Sequence, residues 1–274
     1  MESLDAIVAA AQPGDPIQLE ALDYEIRTPC LRSKTELKLV GRGPATRVFG
    51  LGGDVFNLDR CGDVEIGHMS LHYVGPHKAI NGISITNGSG RIYVRDVVVD
   101  SMPGVPLETR YDGGKAFTLQ PAQGISKDVV FERCGAQGCP VGFGADAVGD
   151  GCVLQVVKCW ALHCNLALSL SAANDTSRFI PTTFGARVAC LSVGACSRLA
   201  IVSRWSNTWL QDVVTVRTPA VTSDPFVKYW GGRHLVQREA KNVVIRRMML
   251  NGDHFISLVG MDALDVVSNG SKVR

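Results

Sequence analysis

Two six-residue stretches, Cys134 to Cys139 and Cys159 to Cys164, share one cysteine spacing, and each cysteine recurs after 25 residues (159 − 134 and 164 − 139). The register runs outward on both sides. Val129 falls on Leu154, Phe131 on Val156, Arg133 on Lys158, Val141 on Leu166 and Phe143 on Leu168. A fixed offset of this size, with apolar residues alternating inside each unit, is the pattern of stacked coils. One such unit cannot bury its apolar face alone, whereas a stack of them can.

A shorter motif recurs around it. Asp63-Val64-Glu65-Ile66, Asp128-Val129-Val130-Phe131 and Asn242-Val243-Val244-Ile245 each join a turn-forming Asp or Asn to an alternating strand, with Asp212-Val213-Val214-Thr215 as a weaker copy. Such side chains bond local backbone and open the strand. Ile92 follows Val64 at an offset of 28 (92 − 64), and Val97 and Val99 continue its inward set as Met69 and Leu71 do in the earlier copy. Unequal offsets place loops of unequal length at the turns, near 101–115, 172–185 and 219–241. Helical periodicity is scarce after residue 12, which argues against an alternating α/β chain, and a β-sandwich does not require register-matched repeats. The reading is all-β, with 1–274 as one domain. Residues 1–12 form a short capping helix over 3–11 with Ser3 as N-cap, and 13–274 are stacked coils.

Composition sets the outer bounds. With 46% hydrophobic and 20% charged residues, 29 glycines and a formal charge of +2, the chain has no field strong enough to imply nucleic-acid binding by itself. No apolar run reaches 18 residues, so no membrane span is expected. The start, Met1-Glu2-Ser3-Leu4-Asp5, carries no signal-peptide pattern. The expected location is therefore cytoplasmic or within a virion, or secreted if a leader has been removed. The nine cysteines read mainly as small buried hydrophobes in a reducing compartment. Stacking at about 4.8 Å also leaves a Cys134–Cys159 or Cys139–Cys164 bridge within reach. A four-thiolate zinc site from the same residues suits the loose spacing poorly.

The opening Ala9-Ala10-Ala11-Gln12-Pro13-Gly14-Asp15-Pro16-Ile17-Gln18-Leu19, followed by Tyr24-Glu25-Ile26 and Leu37-Lys38-Leu39-Val40-Gly41-Arg42-Gly43, resembles the N-terminal entry of right-handed parallel β-helix proteins. These form the pectate-lyase-like superfamily, which includes phage tailspikes. The likeness covers residues 9–43 as motif and the whole chain as coil pattern. Ala21-Leu22-Asp23 departs from the glycine turn often found there. The resemblance implies a single right-handed parallel β-helix. It also implies three activities: calcium-assisted lyase, acid/base glycosidase or uronate epimerase. The Asn-Thr-Asp, Asp-Asp and His-Gly signatures of polygalacturonase-like members are absent from this sequence.

Two loops carry the candidate site residues. Arg110, Tyr111, Asp112 and Lys115 set cations, a phenol and a carboxylate together, suited to an acidic sugar with Tyr111 or Lys115 as proton carrier. Lys228, Tyr229, Trp230, Arg233 and His234 interleave aromatic and basic groups, which stack on sugar rings or on bases. Arg110, Asp112, Lys228, Tyr229 and Trp230 are read as ligand-binding. Tyr111, Lys115, Arg233 and His234 are the catalytic candidates under an enzymatic reading. The weaker sets are Asp146 with Asp150 for calcium, His68 with His72 (and nearby His77) for a metal, and turns at Asn87 and Asn269.

The leading expectation is a non-catalytic stem used in assembly or surface recognition, as in a viral or phage particle. The stem self-associates through coil ends or lateral faces. The alternative is a lyase or hydrolase of acidic glycans, acting between the loops 101–115 and 219–241. A weaker third reading is nucleic-acid binding through Arg246-Arg247 and the 228–233 loop. No cofactor or resident metal is expected, and calcium enters only under the lyase alternative.

Overall fold

In the computed structural model the described residues are 1–12, 14–28, 30–78, 80–86, 90–103, 114–120, 128–147, 153–172, 185–194, 198–203, 208–216, 233–238, 243–246, 248–251, 255–257, 262–263, 266–269 and 272–273. They form one short helix and two sheets, of 19 and 10 strands, in which every pairing is parallel. The chain visits the sheets in turn. From Ile92–Asp100 in the larger sheet it passes to Lys115–Gln120 in the smaller, returns through Asp128–Glu132 and Gly135–Gln137, and crosses again to Val141–Ala147. The same alternation continues through Val153–Val157, Trp160–Leu162 and Leu166–Ala172.

The repeat read from the sequence is the pairing register. Val129 pairs with Leu154 and Phe131 with Val156 in the larger sheet, and Val141 with Leu166 and Phe143 with Leu168 in the smaller. At offset 28, Val64 pairs with Ile92, Met69 with Val97 and Leu71 with Val99. Because side chains alternate faces, one in-register ladder stacks every inward residue on another inward residue. The interior between the sheets is therefore columns of like residues. Ile66, Val94, Phe131, Val156, Val188 and Leu210 stack as one such column, and all are buried. Phe131 meets Phe117 and Phe143 of the other sheet, with ring centroids 5.2 and 6.1 Å away, while Phe117 and Phe143 stack at 5.0 Å.

The cysteine pairs belong to this interior. Cys134, Cys139, Cys159 and Cys164 are buried, and the Cys134 amide donates to Cys159 Sγ at 3.4 Å. Burial pushes the Cys134 thiol up, with Cys159 adding to it, and likewise raises Cys139 beside Cys164. All four pack as small hydrophobes in the interior.

In six successive passes of the larger sheet, from Val64–Tyr73 to Thr208–Gln211 and Val214–Val216, one residue at the bend lies in the left-handed region. His68, Asp96, Arg133, Lys158, Cys190 and Asp212 fill these corners, with φ between 52 and 56°. Asp212 thus aligns with Arg133 and Lys158, not with the strand-opening Asp63 as the weaker motif copy implied, because Gln211 before it pairs with Ala189. Asp63 does sit in a left-handed turn (φ 53°) at the start of its strand.

At the N-terminus the helix is Leu4–Ala10, packed through Leu4 and Val8. Ser3 makes no side-chain cap, contrary to expectation. The Asp5 carboxylate instead turns to the next turn of chain and accepts from the Arg27 and Thr28 amides, both at 2.8 Å. No helix among the described residues is long and apolar enough to cross a membrane.

The corner geometry fixes a substitution pattern. Lys158 is exposed. In an ordinary strand a β-branched residue is preferred to glycine, but a left-handed corner reverses that order. Chemical denaturation should find Lys158→Gly within about 0.5 kcal/mol of the parent and Lys158→Val lower by about 1–2 kcal/mol. The opposite ranking would show that position 158 is extended.

Candidate functional site

The solvent face of the larger sheet carries the most chemically varied group among the described residues. Two outward columns run across it. In register, Arg47 pairs with Ser70, Ser70 with Val98, Val98 with Gly135 and Gly135 with Trp160. Two residues along each strand, Phe49 pairs with His72, His72 with Asp100, Asp100 with Gln137 and Gln137 with Leu162. Strand alternation alone puts these side chains on one face.

His72 is the hub. Its Nε2 lies 3.2 Å from Ser70 Oγ, and its Nδ1 lies 3.8 Å from Asp100 Oδ2. The imidazole stacks on Phe49 with centroids 5.2 Å apart and planes at 24°. The Arg47 guanidinium also sits over the Phe49 ring, 5.8 Å from its centroid. Two bonds to Asp23, Nε to Oδ1 at 2.6 Å and Nη2 to Oδ2 at 2.8 Å, hold that guanidinium. Ser101 Oγ donates to Asp100 Oδ1 at 2.8 Å, and Ser70 Oγ donates to the Pro44 carbonyl at 3.1 Å. Burial lowers the proton affinity of His72. Arg47 adds to that effect, while Asp100 and Asp23 oppose it.

Three strands further along, Trp160 takes over from the polar groups. A Cβ at position 135 would stand 2.1 Å from the Trp160 ring, so the indole lies across Gly135, and only glycine leaves it that place. The ring remains partly exposed. Beside these columns runs an ionic ladder. Glu65 accepts from Arg95 Nη2 at 2.7 Å and faces Lys38 Nζ at 3.2 Å. Burial raises the Glu65 carboxyl, but Arg95 and Lys38 outweigh it and hold the group below its ordinary range. At the corners, Asp96 takes two bonds of 2.7 Å from Arg133, which lower its carboxyl and raise the guanidinium, and stands 3.6 Å from His68 Nδ1. Tyr93 donates to Glu132, and that bond raises the phenol.

Of the residues singled out from the sequence, Arg110, Tyr111, Asp112, Lys228, Tyr229 and Trp230 lie outside the described residues, as do Asp150, Asn87 and Arg247. Arg233 and His234 begin the strand Arg233–Arg238 in the smaller sheet instead of standing in a loop. Lys115 also stands in a strand and not in a loop. It opens the strand Lys115–Gln120, is wholly buried, and its aliphatic stem lies against Gly144, where a Cβ would come 2.8 Å from its Cδ. Its amide donates to Asn81 Oδ1 at 3.1 Å. His68 and His72 face different carboxylates. His68 occupies a corner beside Asp96 while His72 faces Asp100, and the described residues hold no cluster of three or more metal-ligating side chains.

Sequence reading missed Ser70 and Asp100 altogether. The signal was available: adding the offset of 28 to His72 lands on Asp100. No family model and no curated protein matches the chain.

The environment of His72 sets a pH dependence. A histidine with lowered affinity in the folded state binds more proton when unfolded, so its contribution to stability falls as pH drops below about 6.5. Titration followed by histidine NMR should give His72 a midpoint below that of a model peptide. His72→Asn should remove part of the stability loss on the acid side. A midpoint at or above the peptide value would contradict the burial described.

Proposed function

We propose that the chain winds as a single right-handed parallel β-helix, and that this rigid stem recognises a surface glycan through the lateral face bearing Phe49, His72, Asp100, Gln137 and Trp160. The observation that carries the reading is the Trp160 indole lying across Gly135, partly exposed, on the solvent side of a parallel sheet. A partly exposed aromatic plane, fixed by the strand beneath it, stacks on the apolar face of a sugar ring at little entropic cost. Nearby carboxylate, amide and imidazole groups supply hydrogen bonds for ring hydroxyls. Phe49 and Trp160 stand four strand spacings apart in the ladder, about 19 Å. That length suits an oligosaccharide chain lying along the stem axis.

Charge bears on the substrate class. Asp23, Asp96, Asp100 and Glu132 are all on or beside this face, each paired with or close to a cation or histidine. The balance favours a neutral chain over a polyuronate. The support for surface recognition is thus a built aromatic and polar face on a regular scaffold, and a viral or phage particle is one setting in which such stems serve.

The test is binding of the intact protein to a panel of neutral and acidic oligosaccharides by calorimetry or array. A neutral ligand should bind, Trp160→Ala should weaken it at least tenfold, and Lys158→Gly should leave it unchanged. Absence of binding across the panel, or equal affinity in Trp160→Ala, would overturn the reading.

A further inference from the structure

The alignment of Ser70, His72 and Asp100 goes beyond recognition. A hydroxyl, an imidazole and a carboxylate in contact order are the parts of nucleophilic acyl transfer, whatever fold presents them. Here Ser70 and His72 are two residues apart on one strand, and Asp100 comes from the next strand, paired with His72. The distances are 3.2 Å from Ser70 Oγ to His72 Nε2 and 3.8 Å from His72 Nδ1 to Asp100 Oδ2. Such contacts are commonly loose before substrate is bound.

We propose that Ser70, His72 and Asp100 form a hydrolytic triad for small acyl esters on the lateral face of the stem. The supporting groups are in place. Phe49 fixes the imidazole plane by stacking, and Ser101 orients the Asp100 carboxylate. The tautomer with its proton on Nδ1 faces Asp100 and leaves Nε2 free to take the hydroxyl proton. The burial that lowers the affinity of His72 keeps the ring neutral near pH 7, as a base must be. Ser70 turns its proton from the Pro44 carbonyl to His72, a rotation about one bond. Arg47 pairs in register with Ser70, and Asp23 takes one bond from its Nε and one from its Nη2, so the guanidinium's remaining N–H groups are the donors for the developing oxyanion.

The step balances without a co-reactant other than water. Ser70 Oγ bonds to the acyl carbon as its proton moves to His72 Nε2. The ester C–O bond breaks, and the alcohol leaves with that proton. Water, deprotonated by His72, then attacks the acyl-Ser70 carbon, and the carboxylic acid departs as the proton returns to Oγ. Ser70 is 7% exposed, so an acetyl-sized acyl group is the class that reaches it.

The inference does not depend on glycan binding, and its test uses a probe with no sugar. The intact protein is assayed with p-nitrophenyl acetate and treated with a fluorophosphonate, followed by mass mapping. Saturable hydrolysis above buffer is expected, with the phosphonate on the peptide holding Ser70. Ser70→Ala should lose both signals. Asp100→Asn, a positioning change, should lower kcat by about 10²–10⁴ with KM little altered. Lys158→Gly should keep the parent rate. Turnover no faster than buffer, a parent protein unlabelled at Ser70, or full activity in Ser70→Ala would each overturn the proposal. If Ser70→Ala fails to fold, the labelled peptide of the parent decides.

Discussion

Everything in this molecule rests on one constraint, the in-register parallel ladder. Adjacent strands come from successive passes of the chain, so a residue's neighbours are set by the length of each pass and not by local sequence. Backbone hydrogen bonds fix the register, and the register decides which side chains share a column. The Phe117–Phe131–Phe143 cluster, the thiol pairs, the ionic ladder and the His72 group are all consequences of that single alignment. A slip of one residue would turn each inward column to solvent.

The corners show how the ladder is kept in step. A one-residue bend in the left-handed conformation costs about 1 kcal/mol or more for a residue with a Cβ, yet it recurs at His68, Asp96, Arg133, Lys158, Cys190 and Asp212. The bend lets two straight strands of the same pass pair with the equivalent strands of the next. It also aims the corner side chains outward and above one another, which is why Asp96 meets both His68 and Arg133. The expense of the bend is repaid by unbroken pairing on either side.

Much of this was legible in the residues. The offsets of 25 and 28 alone imply the pairing of Val129 with Leu154, Phe143 with Leu168 and Val64 with Ile92. The corners at His68, Arg133 and Lys158 escaped notice because histidine, arginine and lysine carry no turn signal, and the conformation is imposed by the ladder on both sides. Lys115 misled because a lysine beside glycines reads as exposed, whereas tertiary burial decided otherwise. Ser3 misled because a capping residue type does not guarantee a cap when the helix entrance is itself paired as a strand, Glu2–Ser3 with Tyr24 and Glu25. The His72 group was missed for a different reason. Candidate chemistry was sought in loops, whereas the groups lie on the regular face and meet only through the inter-strand offset.

The most direct test of the account is a set of cross-strand nuclear Overhauser contacts in the deuterated, selectively labelled protein. The ladder predicts contacts between residues 25 apart, Val129 with Leu154 and Phe143 with Leu168, and 28 apart, Val64 with Ile92. It predicts the absence of the close Hα–Hα contacts that mark antiparallel pairs. Strong Hα–Hα contacts between those strands, or contacts at other offsets, would contradict it.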